Sequence, residues 1–456
     1  MPVAKEIIRL EKSNVKLSLT VPKEDVESQY QDLIREYAQK VQMPGFRRGK
    51  VPREVLERKF GKELQGEALG RIIDMAVNEV FGDENIPKEE RPLPYSQPQL
   101  EGDPQLDFGH DLVFSLVYDV LPKVAVNRWK GLEVEAPKAE VGDEDIGREL
   151  EELRDRNAFV LDRDEGAEAR SGDVATVSYC ELDDNGEELP NSQREDFVFT
   201  LGSRQNVYMF DDDIAGMKKG ETIEFTKTYK EDDEHKTTFA GQTKKLRVTL
   251  SALKEKKLPD LDDDLAQDID EKFRTLDDLK NNIRGRLEKN LERRLRELSI
   301  NNLLEKIMEN TPVTLPESMV KAELEGRMNS LARQFGADAN KLMQMLALSG
   351  EGLEDIEGKW RPAAEKALHS RLIVDTLIEE QHIEAGSEDI EKEMEDMAAE
   401  AGESVEEIRK RYEAGNVMEY LKDEIRERKF FDMLLAENTV KTGKRVNYLD
   451  VMANNG

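Results

Sequence analysis

The sequence predicts a multidomain α+β protein. It has an N-terminal α+β domain, a small antiparallel β domain with a short helix, and an all-helical C-terminal part. Three observations carry this. At 456 residues the chain exceeds what one hydrophobic core holds, so two to four domains are expected. Alternating apolar and polar residues are confined to a few stretches before about residue 253, and the 3.6-residue period rules everything after it. Charged residues make up 37% and aromatics 6%, a balance of long solvated helices more than of a compact enzyme.

Residues 14–21, NVKLSLTV, alternate with period two and read as a strand. After Pro22, the positions Val26, Tyr30, Leu33, Ile34, Tyr37 and Val41 repeat at helical spacing. Pro44 should end that helix, because the residue before a proline avoids the α region. Pro52 suits the first turn of the next helix, where no amide donor is needed; Val55, Leu56 and Phe60 carry its pattern onward to about Phe81. RPLPYSQPQL is a proline-rich connector, and DFGHDLVFSLVYDVLPKV contains a long strand. Residues 1–120 thus form an α+β domain whose helix–loop–helix has its tip at 43–52. Residues 121–155 supply a linker strand, GLEVEAPKAEV, and a charged helix, EDIGRELEELRDRNA. The β domain spans 156–253: DVATVSYCEL, EDFVFTLG, ETIEFTKTYK and KKLRVTLSAL all alternate. Asn185-Gly186 turns between the first two strands, and one helical turn falls near FDDDIAGM. From 254 to 456 the chain is helical. Thr275 can cap a helix striped by Leu279, Ile283, Leu287, Leu291, Leu295 and Leu298. Further helices are expected at about 316–335, 338–348, 358–382, 387–400 and 404–437, with no solenoid repeat.

A net charge of −31 argues against broad nucleic-acid binding, so any contact with RNA must be local. Cys180 is the only cysteine, which excludes an intrachain disulfide and fits a reducing compartment. The N-terminus has no uninterrupted apolar segment of the secretory kind, and no run of about 18 apolar residues could span a membrane. A cytoplasmic protein is the simplest reading.

Sites for covalent chemistry are not evident. His110, His235, His369 and His382 do not pair at i+3 or i+4 and have no cysteine cluster, so a zinc site built by the protein is not expected. LDDDLAQDIDE lacks the glycine and terminal glutamate of a calcium loop and reads as a solvated loop. There is no Walker loop, and SGEGLEDIEG reads as a helix connector. No nucleophile can be argued, and no cofactor is expected.

What remains are surfaces. Residues 40–62 hold eight basic residues (Lys40, Arg47, Arg48, Lys50, Arg53, Arg58, Lys59 and Lys62) against Glu54 and Glu57, a local balance of +6. Such a patch suits phosphate contacts, with Phe46 stacking or entering a crevice. A solvated turn with Phe46 folded inward fits these residues equally well. Ten of the fifteen methionines follow residue 300, Met328, Met343 and Met345 among them. Flexible and polarizable, they suit a surface that accepts many partners, although any single one is better read as core filling.

GFRRGKVP resembles the signature loop of the bacterial trigger factor family, the ribosome-associated chaperones. LPKVAVNRWKGLEVE is similar to that family's linker out of the N-terminal domain. EDFVFTLGSRQNVYMFDDDIAGMKKGE is similar to the core of its prolyl isomerase domain, which has the FK506-binding-protein (FKBP) fold. KKLPDLDDDLAQDI and TPVTLPESMVKAELEGRMNSLARQFG look like parts of its helical domain. The match runs through nearly the whole chain in the family's order.

The resemblance implies an N-terminal domain that docks on the large ribosomal subunit, on protein and ribosomal RNA near the peptide exit. Gly45, Phe46, Arg47, Arg48, Gly49 and Lys50 would carry the docking, with Phe46, Arg47 and Arg48 most directly involved. It implies a helical body with arms that shields unfolded nascent polypeptides without ATP, and a homodimer away from the ribosome. It also implies an FKBP-like isomerase site walled by Tyr179, Leu189, Phe197, Phe199, Val207, Phe210 and Phe239. A site of this kind needs no nucleophile. The barrier of about 18–20 kcal/mol to rotation comes from amide conjugation, and a pocket lowers it by binding the twisted amide better than either planar form. The chain departs from the fold's simple members in places. Pro190 stands where they place an aspartate, Tyr208-Met209 replaces Pro-Gly, and Glu234 replaces a tyrosine, although His235 beside it matches. Lost polar partners and the bulk of Met209 imply measurable but reduced activity. Two other readings are a free cytosolic prolyl isomerase whose helices only oligomerise it, and a helical scaffold with a degenerate β module.

Overall fold

The computed structural model describes residues 4–453 apart from 48, 83–85, 184, 191, 230–238, 240, 349–352 and 416. The chain divides into two compact units. One comprises Met1–Ala136 and Glu297–Thr442, the other Pro137–Arg296 and Gly443–Gly456. None of the described helices is long and apolar enough to cross a membrane.

The first unit opens with strands β1 (Ala4–Arg9) and β2 (Asn14–Val21), then helices α1 (Lys23–Lys40) and α2 (Arg53–Phe81), then strands β3 (Gln99–Glu101) and β4 (Leu112–Asp119). The strands form one antiparallel sheet in the order β1-β2-β4-β3. Period-two patterning does the work here. Val15, Leu17, Leu19 and Val21 of β2 and Leu112, Phe114, Leu116 and Tyr118 of β4 point to one face, where Ile72, Ala76 and Val80 of α2 cover them. The N-terminal half of α2 packs instead on α1, with Tyr30, Leu33, Ile34, Leu56, Leu64 and Ala68 buried together.

Helix α1 stops at Lys40, three residues short of where Pro44 alone would stop it. Val41 is extended (ψ 136°) and only its N–H still bonds to Tyr37 O. The chain leaves the helix early because Met43 is drawn into the α1/α2 core. β1 and β3 were not apparent from the sequence: every residue of β3 is exposed, and only Ile7 of β1 is even half-buried, so neither shows a buried face.

The rest of this unit is helical. It includes the end of α5 (Leu276–Glu309), then α6 (Glu317–Gln334), α7 (Ala339–Leu348), α8 (Leu353–Glu380), α9 (Ser387–Ala401), α10 (Val405–Ala414) and α11 (Met418–Ala436). Thr275 caps α5 as expected: its Oγ1 accepts from Asp278 N, and the Asp278 carboxylate accepts from Thr275 N. Two expectations change here. The single helix expected over 404–437 is two, because the chain breaks after Ala414 at Gly415, whose N–H closes on Arg411 O. The supposed connector SGEGLEDIEG is helical from Leu353 onward, with its first residues outside the described ones.

The methionines also settle inward. Met319, Met328 and Met394 are buried, and Met308, Met343, Met397, Met418, Met433 and Met452 are half-buried. The Met345 side chain lies outside the described residues. Most of these residues pack against helix cores, although Met308 also lines a groove with Val313 and Leu315.

A clasp joins the two segments of the first unit. Asn438 accepts from Leu132 N through Oδ1 at 2.7 Å, and its Nδ2 donates to Trp129 O and Leu434 O. Beside it Gly131 N donates to Glu437 O and Thr439 N to Leu132 O. Strand β5 (Glu133–Lys138) thereby pairs with β11 (Thr439–Arg445). Trp129, Leu132 and Val134 drop into a core with Ile300, Leu303 and Ile307 of α5, Ile373 and Leu377 of α8, and Phe430 and Leu434 of α11.

The second unit holds α3 (Asp143–Arg156), β6 (Phe159–Asp162), β7 (Val174–Leu182), β8 (Arg194–Thr200), β9 (Thr222–Thr228), the long β10 (Thr243–Lys257), α4 (Asp263–Ile269), the first part of α5, and α12 (Tyr448–Ala453). β10 pairs antiparallel with β7, β9 and β6, and β7 with β8. The short helix is one turn, with Ile214 N bonded to Phe210 O. Two further expectations are corrected. The acidic stretch LDDDLAQDIDE is not a loop: Asp262 accepts from Leu265 N and starts α4, where the acidic first turn suits the helix N-terminus. The turn at Gly186 leads only to a bridge between Leu182 and Glu188, and β8 begins six residues later. β6 escaped notice because all four of its residues are exposed, so it has no alternating pattern.

Phe430 is fully buried at the centre of the clasped core, with its ring 6.3 Å from that of Trp129. Phe430→Ala should cost about 3–5 kcal/mol, read as an earlier chemical denaturation midpoint. A midpoint that does not move would contradict this packing.

Candidate functional site

Two places assemble the residues singled out in the sequence. The first is the loop between α1 and α2. Its stem is fixed by Met43 and Val51, 7% and 6% exposed, which are buried with Leu56 and Leu64. Phe46 N donates to Met43 O at 3.1 Å, closing a turn with Pro44 and Gly45 at its corner. Gly45 has φ +89° and Gly49 φ +78°. A Cβ at either would meet nothing, so glycine is required there by backbone conformation and not by space. A second bond, Lys50 N to Arg47 O at 2.9 Å, draws the far side in.

The result is a tip that presents Phe46, 38% exposed, beside exposed Arg47 and Lys50. Among the described residues neither Arg47 nor Lys50 makes an ion pair. Farther back, Arg53 pairs with Glu57 and Lys40 with Glu36, so part of the basic patch is neutralised while the tip keeps its charge. Arg48 lies outside the described residues.

The second place is an aromatic box in the β domain. Phe210, fully buried, is its floor. Tyr179 of β7 meets Phe210 at 5.3 Å and Phe197 at 5.8 Å, both edge to face. Phe199 of β8 stacks on Phe197 at 5.4 Å and meets Phe210 at 5.8 Å. Tyr179 and Phe197 reach one side of the sheet because strand side chains alternate. Phe239 joins through Tyr208, which meets both it and Tyr179. Five of the seven nominated walls therefore form one contiguous set. Leu189 and Val207, 38% and 56% exposed, stand outside it in these ring contacts. Glu234 and His235 lie outside the described residues.

Tyr208 and Tyr229 join the box without being placed there by the sequence, in which Tyr208 figures only as a replacement for proline. Tyr208 is 8% exposed, stacks on Phe239 at 5.0 Å with planes 4° apart, and meets Tyr179 edge to face at 5.5 Å. Its hydroxyl donates to Glu181 Oε1 at 2.7 Å, and Lys244 holds the other oxygen of that carboxylate at 3.0 Å. Burial and this bond to Glu181 keep the Tyr208 phenol far above the ordinary tyrosine range. Met209, one residue on, is in the left-handed region at φ +49°, a conformation glycine takes without cost. Lys227 Nζ donates to Met209 O and to Asp213, and Tyr229 OH to Tyr208 O.

The turn carrying these residues is scaffolded by a buried pair. Asp211 accepts from Gly202 N, Arg204 N and Asn206 Nδ2, while Asn206 Oδ1 accepts from Phe210 N. The result is a set of apolar ring faces held in fixed orientations by packing and by this hydrogen-bonded turn.

This chain is therefore a modular protein with an FKBP-type domain, set between an α+β domain and a helical one. The family model for FKBP-type peptidyl-prolyl cis-trans isomerases matches residues 165–250. That for the bacterial trigger factor protein matches residues 3–153, and that for its C-terminus residues 275–436. The trigger factor of Treponema denticola is 41% identical over 452 residues, covering 99% of this chain and 100% of the relative. Those of Treponema pallidum (strain Nichols) and Borrelia turicatae are 35% and 32% identical, covering 99% and 96% of this chain and the same shares of the relatives. A solved structure of the trigger factor chaperone matches at 22% identity and a TM-score of 0.47, covering 95% of this chain and 99% of that one. The protein belongs to the trigger factor family of chaperones.

Burial first, then the charges of Asp213 and Glu181, push the Tyr229 phenol up to about 12. A raised acid favours the neutral form in the folded state. Its contribution is fully present below the unfolded value near 10 and is lost as the pH climbs through about 12. An ultraviolet difference titration of wild type against Tyr229→Phe should isolate one phenol with a midpoint near 12. A midpoint near 10 would show that this hydroxyl is not held in the box.

Proposed function

We propose that this protein is an ATP-independent chaperone that docks on the large ribosomal subunit through the 43–52 loop and shields nascent chains. The observation that carries the docking is the anchored tip, which exposes Phe46 and Arg47 while Met43 and Val51 hold its stem in the core. A preorganised loop loses little conformational entropy on binding, and arginine offers paired donors to phosphate or carboxylate. Gly45 and Gly49 shape the tip, and Arg48 and Lys50 add charge to it. In this reading residues 1–120 dock, 121–155 link, 156–253 form the isomerase domain and 254–456 receive the unfolded polypeptide. The protein works in the cytoplasm and forms a homodimer when free of the ribosome.

The same proposal assigns peptidyl-prolyl cis-trans isomerase activity to the aromatic box, with Tyr179, Phe197, Phe199, Phe210 and Phe239 as its walls and Leu189 and Val207 near its rim. Tyr208 and a left-handed Met209 stand where the fold's simple members carry Pro-Gly, which supports an activity below theirs.

Ribosome co-sedimentation tests the docking. Wild type should pellet with ribosomes, and the triple variant Phe46→Ala, Arg47→Ala, Arg48→Ala should lose most of that binding. Equal pelleting of the two would reject the loop as the docking element and favour a free isomerase. A protease-coupled assay on proline peptides tests the second half: turnover equal to that of a simple FKBP would show that the altered turn costs nothing.

A further inference from the structure

We propose that Tyr208 is a built-in occupant of the prolyl site, a side chain that competes with substrate for the space between Tyr179 and Phe239. The proposal rests on the isomerase reading of the aromatic box and goes beyond it by naming what limits entry.

The geometry is that of a bound ring. Tyr208 lies almost parallel to Phe239, with centroids 5.0 Å apart, and meets Tyr179 edge to face at 5.5 Å. A substrate proline would need carbon contacts at about 3.5–4.0 Å to these same faces. Two rings cannot share them, so substrate binds only after Tyr208 has left.

The Tyr208 ring is held by more than packing. Phe210 is held by packing alone, at 0% exposure. Tyr208 is held in addition by its hydroxyl on Glu181, and Glu181 is fixed by Lys244, whose Nζ also lies 5.0 Å from the centre of the Phe239 ring. The backbone beside it is pinned by Tyr229 and Lys227. Tyr208 thus leaves by breaking one side-chain hydrogen bond and giving up its ring contacts, with the backbone staying in place. Val207 next to it is 56% exposed, so this turn borders solvent and the displaced ring has water to enter.

An internal competitor has a defined kinetic signature. Only the fraction of molecules with the ring displaced can bind, so apparent affinity falls by that fraction while turnover of the bound complex is untouched. Tyr208 is therefore a residue that sets KM, not kcat.

The test measures KM and kcat of the full-length protein on an Ala-Leu-Pro-Phe tetrapeptide in the protease-coupled assay, for wild type, Tyr208→Ala and Glu181→Gln. Tyr208→Ala should lower KM about tenfold with kcat nearly unchanged, and Glu181→Gln should lower it by less. If wild type turns over and a folded Tyr208→Ala has the same or a higher KM, the occupant is rejected and the isomerase reading stands. If Tyr208→Ala does not fold, Glu181→Gln decides, and a wild-type KM in that variant overturns the proposal. If no form turns over, the isomerase reading fails. Nuclear magnetic resonance titration with the same peptide then judges occupancy: shifts at Tyr179 and Phe239 in the variant but not in wild type support it, and none in either rejects it.

Discussion

The clasp between residues 131–133 and 437–441 is the constraint on which the first unit depends. Asn438 serves three backbone groups at once, and those groups come from Trp129, Leu132 and Leu434. These bonds are partly shielded from water, where a backbone group left unpaired is costly. Phe430 and Trp129 pack where these bonds close. The β domain can then be carried between Pro137 and Arg296 as an insertion, because the chain on either side of it is already stitched together.

Aromatic side chains are few in this chain, and seven of them meet in the β domain. Tyr179, Phe197, Phe199, Tyr208, Phe210, Tyr229 and Phe239 form a continuous set of ring contacts in a domain of otherwise ordinary aliphatic packing. Edge-to-face geometry adds to simple burial and fixes ring orientation. Where the chemistry is rotation about a bond, such fixed apolar faces are the machinery. The polar groups around them, Glu181, Lys227, Lys244 and the Asn206–Asp211 pair, hold rings and turns in position and are not placed to attack a substrate.

Much of this was legible in the sequence, for reasons that also explain what was not. β2, β4, β7, β8, β9 and β10 each bury or half-bury one face, so their alternation is visible, and α1, α2, α3 and α5 carry apolar stripes. β1, β3 and β6 are mostly or wholly exposed, and β11 has only one half-buried residue, so no period is written into them. The break at Gly415 is a local event inside an unbroken helical pattern. In the loop, prolines and glycines announced the turn, and the burial of Met43 and Val51 was not readable because each stands alone beside polar neighbours. The floor and walls of the aromatic box were readable by resemblance. Tyr208 was not, because a tyrosine in a turn is ordinarily half-solvated, and only the tertiary position of Glu181 draws it in.

The clasp also has a consequence in time. Leu132 and Asn438 are 306 residues apart in sequence. Synthesis proceeds at about 5–20 residues per second, so Trp129 and Leu132 leave the ribosome about 15–60 s before the strand and helix that will cover them. The sheet of β1–β4 can close early on its own helix, but the apolar segment after it must wait for almost the entire chain. This member of a chaperone family is thus itself made with a long-exposed hydrophobic stretch. The synthesis of Asn438 and the strand after it decides when that exposure ends.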